Sequence, residues 1–285
     1  MPEKPATAAG YSNAQLQRVR QTLLYVATKL GDMLDQLTVI GGLVPSLLVD
    51  PAALPGDAPP HVGTRDLDLG LQLAILHEAS YRTLAEGLRG AGFRPDVNDH
   101  GHPTPQRWVS EVLPGVTVPV DFLIPERGPD DLPGKTAFLE SDFGATVVPG
   151  LELVERDRVV VTLAGTTIRG EAARRDVGVC GPGAFVVLKS LAFRSRGEHK
   201  DAYDLCYLLQ HYDAGYEAVA ERLRPLLDST HARRALVYLA EDFTAPDQLG
   251  PIRAATFLGR GGDLDLRADL AAAIRMLLVL CAPER

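Results

Sequence analysis

Between residues 12 and 37 the apolar positions recur at helical spacing: Leu16, Val19, Leu23, Val26, Leu30, Met33, Leu34 and Leu37. Ser12 or Asn13 suits the N-cap, where a short polar side chain accepts a hydrogen bond from an open backbone N–H. The period then changes. Leu37–Ile40 is a short run closed by Gly41-Gly42, and Pro45 fits the first turn of a helix after it. Residues 51–63 are rich in Pro, Gly and Ala and predict an irregular loop. Residues 66–73 and Val116–Ile124 alternate apolar with polar positions, the pattern of strands with one buried face. Residues 75–90 predict a helix. Residues 159–163 and 166–169 are β-branched runs separated by Gly and predict two strands joined by a turn.

After Pro182 the pattern is helical throughout, over residues 185–193, 200–209, 216–227, 232–239 and Leu264–Leu280. The expected fold is α+β: a mixed sheet with flanking helices over residues 1–180, then a helical domain over residues 181–285. The division falls near Gly181-Pro182-Gly183.

Composition narrows the class. A chain of 285 residues can bury one large core or two smaller ones. No apolar run reaches the ~20 residues that span a bilayer, so no membrane partner is expected. Residues 1–10 lack the apolar stretch of a secretory leader and are expected to fray. Cys180, Cys206 and Cys281 are odd in number and widely spaced, which argues against a disulfide framework or a structural zinc site. They are expected as buried thiols in a reducing cytoplasm. The net charge of −8 leaves room for a local basic groove but gives no basic surface.

The segment Thr64-Arg65-Asp66-Leu67-Asp68-Leu69 carries the chemistry. Carboxylates two apart on a strand share a face. Two such charges side by side need neutralising, and a hard divalent cation such as Mg²⁺ does so while keeping positions open for phosphate. A solvated strand face is the plain alternative for Asp-x-Asp alone. Asp121 lies among strand formers in Val118-Pro119-Val120-Asp121-Phe122, where a carboxylate needs a partner. That partner is a metal or an arginine, Arg107 or Arg94. Three carboxylates on neighbouring strands can hold two metals, roughly 3.5–4 Å apart, around a reacting phosphate. Gly41-Gly42, between a strand and a helix, would let backbone N–H groups approach a phosphate.

The order Val39-Ile40-Gly41-Gly42, then Thr64-Arg65-Asp66-Leu67-Asp68, then Val120-Asp121-Phe122 resembles the polymerase-beta-type nucleotidyltransferase superfamily. The stretch between Gly42 and Asp66 departs from that pattern by its length and its Pro-rich loop. Further along, Lys189-Ser190-Leu191-Ala192-Phe193-Arg194 followed by Lys200-Asp201-Ala202-Tyr203-Asp204-Leu205 is similar to the AbiEii-like (MenT-like) nucleotidyltransferase toxins. The resemblance spans residues 37–209. It implies a nucleotidyltransferase-type sheet and transfer of nucleotides from an NTP, with Mg²⁺ or Mn²⁺, to the 3′ end of an RNA, tRNA in characterised members. It also implies a toxin with a possible antitoxin partner. By motif position, Asp66, Asp68 and Asp121 would be the catalytic metal ligands. Gly41, Gly42, Thr64 and Lys189 would meet the nucleotide, and Asp204 would complete the catalytic set.

Lys189 sits in an otherwise apolar helix, where an ammonium could neutralise phosphate charge, and an ion pair with Asp204 would join two helices. Asp201 is expected on a helix surface with local ion pairs. Other acceptors stay open: the net acidity suits a small molecule or a protein side chain somewhat better, and an idle nucleotide-binding protein is the remaining alternative. Asp99-His100-Gly101-His102 lacks further ligands at metal spacing and predicts a loop, Trp108 predicts core, and Arg260-Gly261-Gly262 predicts a turn. Arg174-Arg175 and Arg233-Arg234 are expected as solvated surface.

Overall fold

The computed structural model describes residues 5–56, 58–72, 78–113 and 116–282. Residues 1–4 of the expected frayed tail, Leu73 of the expected strand and residues 75–77 of the expected helix lie outside the described residues. The chain forms two compact units. Of the described residues, the first takes Asn13–Leu43 and Gly63–Cys180; the second takes residues 5–12, Val44–Val62 and residues 181–282. Two stretches within residues 1–180 therefore pack with the helical unit.

The first unit is a mixed sheet with helices. Its strands are β1 (Leu37–Ile40), β2 (Leu67–Leu71), β3 (Arg94–Val97), β4 (Pro103–Leu113), β5 (Val116–Ile124), β6 (Thr136–Phe138), β7 (Gly144–Val147), β8 (Arg158–Thr166) and β9 (Ala172–Cys180). They join in the order β3-β4-β5-β2-β1-β9-β8, with β7 also pairing β5 and β6 pairing β7. The β1–β9, β2–β5 and β5–β7 pairs are parallel; β1–β2, β3–β4, β4–β5, β6–β7 and β8–β9 are antiparallel. An interior strand covered on both faces is largely apolar; all four residues of β1 are buried, Thr38 among them. Helices α1 (Asn13–Leu30), α3 (Glu78–Gly90) and α4 (Leu153–Arg156) belong to this unit. Trp108, Phe122 and Phe143 are fully buried, and their rings meet at centroid distances of 5.1–5.7 Å.

Helix α1 starts at Asn13 but stops at Leu30, short of the expected Leu37. Gly31 takes a φ of +53°, which ends the helix, and a 3-10 stretch over Gly31–Gln36 leads into β1. The β8–β9 hairpin also differs from expectation. Residues 167–170 form its turn, closed by a Thr167 N–H bond to the Glu171 carbonyl, and the second strand begins only at Ala172. Gly165 and Gly170 both carry positive φ there, so the sequence break lies further along than the β-branched runs suggest.

The second unit holds α2 (Val44–Leu48), α5 (Pro182–Arg196), α6 (His199–His211), α7 (Tyr216–Leu223), α8 (Thr230–Phe243), α9 (Leu249–Phe257) and α10 (Leu264–Leu280). Pro182 occupies the first turn of α5, and Gly197 ends it in the left-handed conformation. Ser229 and Asp263 cap α8 and α10 through their side chains. Phe193 against Phe243 and Tyr203 against Phe257, both with centroids 4.8 Å apart, form its aromatic core. All three cysteines are free and buried. No helix among the described residues is long and apolar enough to cross a membrane.

Candidate functional site

Strand register assembles the acidic site in the first unit. Asp68 lies opposite Asp121 across the parallel β2–β5 pair, so the two carboxylates share one face. Asp66 stands just before β2, where the Thr64 hydroxyl donates to its Oδ1 at 2.6 Å. One ligand oxygen from each of Asp66, Asp68 and Asp121 lies within 4.8 Å of the others. Asp66 is buried; Asp68 and Asp121 are half-buried.

Glycine shapes one wall. Gly41 has a φ of +69°, and a Cβ added there would overlap the Asp68 carboxylate. Only a residue without a side chain lets the backbone turn come this close. Gly41–Leu43 is a single 3-10 turn, and Gly42 is buried within it. The helix expected next, α2, is five residues long and packs in the other unit.

Arginine shapes the opposite side. Arg107 on β4 lies opposite Asp121 and grips it with both arms: Nε to Oδ1 and Nη2 to Oδ2, each at 2.6 Å. The planar fork matches the carboxylate and fixes its plane. The hydrogen bond to Asp121 raises the guanidinium's proton affinity, and the charges of Asp66 and Asp68 add to it. The arginine partner foreseen for Asp121 is therefore present beside the other two carboxylates.

The donor chemistry fits a metal. Three carboxylates offer hard oxygens, the ligands that small divalent cations take. The group could hold a metal ion, and the Gly41 turn leaves the Asp68 carboxylate uncovered by any side chain at that position. Arg107 already supplies part of the neutralising charge.

Lys189 and Asp204 lie in the second unit, within a buried ionic cluster. Lys189 Nζ donates to Asp201 Oδ1 at 2.8 Å and to Asp204 Oδ2 at 2.7 Å, which ties α5 to α6. Lys200 reaches Asp204 at 2.7 Å, and Arg196 Nε reaches Asp201 at 2.6 Å. Asp201 is thus not on the surface, as expected from sequence, but 2% exposed. Its carboxylate turns inward because two cations wait there. Burial raises the Asp201 pKa, but Lys189 and Arg196 outweigh it and bring it down to about 2. Burial acts the same way on Asp204, and Lys189, Lys200 and the His61 hydrogen bond hold it well below the usual carboxylate range.

His61 is the cluster member that sequence reasoning missed. Its Nε2 sits 2.9 Å from Asp204 Oδ1 and its Nδ1 3.4 Å from Ser46 Oγ. The ring stacks on Tyr203 at 5.1 Å and meets Tyr207 edge-on at 4.9 Å. Burial pushes its pKa down to about 4 against the pull of Asp204. A lone histidine in a Pro-rich loop carries no periodicity that could have revealed this partner. The His100 and His102 segment lies in the loop between β3 and β4, as expected, and both histidines are exposed.

No protein-family model matches this chain, and no curated protein matches it.

Proposed function

We propose that the protein is a nucleotidyltransferase that moves a nucleotide from an NTP to the 3′ end of an RNA, with tRNA as acceptor, and acts as the toxin of a toxin–antitoxin pair. The observation that carries the reading is the convergence of Asp66, Asp68 and Asp121 beside the Gly41 turn. The resemblance of the Gly-Gly, Asp-x-Asp and single-Asp order to nucleotidyltransferases supports the chemistry, and the helical Lys189 and Asp204 motif supports the branch. Acceptor and toxin role rest on that resemblance alone.

Asp66, Asp68 and Asp121 would hold Mg²⁺ or Mn²⁺, which supplies charge to the reacting phosphate and acidity to the attacking hydroxyl. Thr64 orients the Asp66 carboxylate through its hydroxyl. Arg107 holds the plane of Asp121. Gly41 lets the backbone turn pass against the Asp68 carboxylate with no Cβ to overlap it. Lys189 keeps its two carboxylate partners in this reading and holds α5 on α6.

One observation favours a second reading. Arg107 engages both oxygens of Asp121, as it would in an idle nucleotide-binding protein whose ion pair has replaced a cation. Incubation with each labelled NTP, Mg²⁺ and total RNA, protein or small-molecule extract separates the readings. Label is expected at RNA 3′ ends, falling to background with Asp68→Asn. Label in the protein or small-molecule fraction would overturn the RNA acceptor. Bound nucleotide with no label in any fraction would select the idle protein. Growth arrest on expression, relieved by Asp68→Asn, is the expected sign of the toxin role; unimpaired growth with wild-type protein would remove it.

A further inference from the structure

We propose that the outer edge of β8 is the seam of a symmetric dimer, where a second copy of this chain adds its own β8 antiparallel to the first. The inference is independent of the nucleotidyltransferase reading.

An edge strand offers a row of open backbone groups, and proteins blunt it with short length, charge, proline or a bulge. The sheet does so at one end. Strand β3 is four residues long, holds Arg94, Pro95 and Asp96, and shifts register between Pro95 and Asp96. Strand β6, which pairs β7, has only three residues. Strand β8 closes the opposite end of the sheet, and among the described residues no strand pairs its outer side. It runs nine residues in unbroken register with β9, without proline, and Arg158 is its one charged residue.

Arg158 does not guard this edge. Its guanidinium lies across Gly178 of β9, where a Cβ would overlap it. From there it reaches the Thr38 hydroxyl at 3.3 Å and the Asp35 and Leu37 carbonyls at 3.4 Å. The charge is drawn over β9 towards β1 and away from the open side of β8.

The hairpin turn fixes which backbone groups face outward. It closes with the Thr167 N–H on the Glu171 carbonyl, in step with the β8–β9 register. Bonded and non-bonded pairs alternate along an antiparallel ladder. Counting back in twos from Thr167, the odd-numbered residues bond to β9, and Arg158, Val160, Thr162, Ala164 and Thr166 turn their N–H and C=O groups outward. Val160, Thr162 and Ala164 also carry exposed side chains, Val160 at 62%. A strand laid along this edge therefore meets open main-chain groups beside an uncharged surface, as in recognition by strand addition.

The edge is complementary to itself. Thr162 is the middle residue of β8. A two-fold axis there sets Thr162 against its own copy, Val160 against Ala164 of the partner subunit and Arg158 against Thr166 of the partner subunit. No charge on the strand opposes a like charge, and Val160 gains an apolar neighbour. Asp176, opposite Thr162 on β9, stands three strand spacings from its own copy, roughly 14 Å, beyond the screening length of about 8–10 Å.

The test is sedimentation velocity of the full-length protein from nanomolar to high micromolar concentration. A single strand pair is a small interface, so wild type is expected as a reversible dimer with a dissociation constant on the order of micromolar. Thr162→Pro removes an outward N–H, a change an edge strand tolerates. It should raise that constant about tenfold or more, with the circular dichroism melt preserved. Two paired variants read the register. Val160→Lys/Ala164→Lys sets like charges opposite each other across the seam and should leave a monomer. Val160→Lys/Ala164→Glu sets opposite charges there and should dimerise at least as tightly as wild type. Both change exposed positions alone, so they decide the matter if Thr162→Pro fails to fold. A wild type that stays monomeric would overturn the second copy as occupant and leave the edge to an extended segment of another protein. A folded Thr162→Pro that dimerises as wild type does, or paired variants that behave alike, would overturn the seam.

Discussion

Asp68 sits where two neighbours define it: a glycine turn that gives it room and a second carboxylate opposite in register. Like charges this close repel, so in the absence of divalent cation Asp68→Asn should melt at the same temperature as wild type or higher. Added Mg²⁺ should raise the melting temperature of wild type and not of the variant. A fall in the metal-free melt would show that Asp68 is held by partners strong enough to outweigh the repulsion. His61 gives a pH signature of the opposite kind. Its folded pKa of about 4 lies below the ordinary 6.5, so between those values the unfolded chain binds the proton and the folded one does not. Stability therefore falls as pH drops from 6.5 towards 4, by at most about 3 kcal/mol. Asp201, lowered from 3.8 to about 2, adds a further loss as pH falls through that lower window. Urea denaturation at pH 7.0 and 5.0 should show the first loss in wild type and little of it in His61→Gln. The carboxylates were legible from sequence because strand alternation puts Asp66 and Asp68 on one face and sets Asp121 among strand formers; Arg107 was named, with Arg94, only as the alternative to a metal, because the strand that carries it was not read from the sequence. The roles of His61 and Asp201 were not legible, since their partners come from residues far away or from the buried side of a helix that reads as polar.

Among elements, α5 and α6 are joined by charge inside an apolar interface. Lys189 is 6% exposed, and its ammonium bridges Asp201 and Asp204. Removing one partner of a buried ionic group leaves the rest uncompensated. Lys189→Met should therefore cost about 3 kcal/mol in chemical denaturation; a loss within experimental error would mean that Arg196 and Lys200 suffice. Long amphipathic helices announced themselves through period, and β1 as a short, largely apolar run closed by glycines. Strands β3 and β6 did not, being four and three residues long with exposed or half-buried positions; β7 is as short, though mostly buried, and β4 opens on Pro103-Thr104-Pro105, residues that read as a loop. Helix α9, only nine residues, hides because Gly250 and Pro251 open it. Those residues usually mark loops, but at the first turn proline loses no intrahelical bond, and Gly250 packs so closely on Phe243 that a Cβ would overlap the ring.

At the scale of the whole molecule, the chain passes between its two units at Ser12/Asn13, Leu43/Val44, Val62/Gly63 and Cys180/Gly181. The change of pattern near Gly181 was readable because helical periodicity replaces strand alternation there. The other passages were not, because a short helix and a Pro-rich loop look alike whichever core they join. A fragment of residues 181–285 lacks His61, and with it the aromatic and hydrogen-bonded contacts to Tyr203, Tyr207 and Asp204. It is expected to show reduced helicity and a broad, weakly cooperative melt by circular dichroism; a sharp transition like that of the full chain would show that the loop is dispensable.

The pairing of β1 with β9 bears on how the protein emerges from the ribosome. Val39 meets Val179, a partner made 140 residues later. Until Cys180 has left the exit tunnel, the inner strand β1 has an open edge, and β8 has no neighbour to hold it in the sheet. Val44–Val62 waits longer, since the helices of its unit are translated only after Cys180. Nascent chains stalled before residue 180 should accordingly recruit chaperones to an apolar edge that the finished protein never presents.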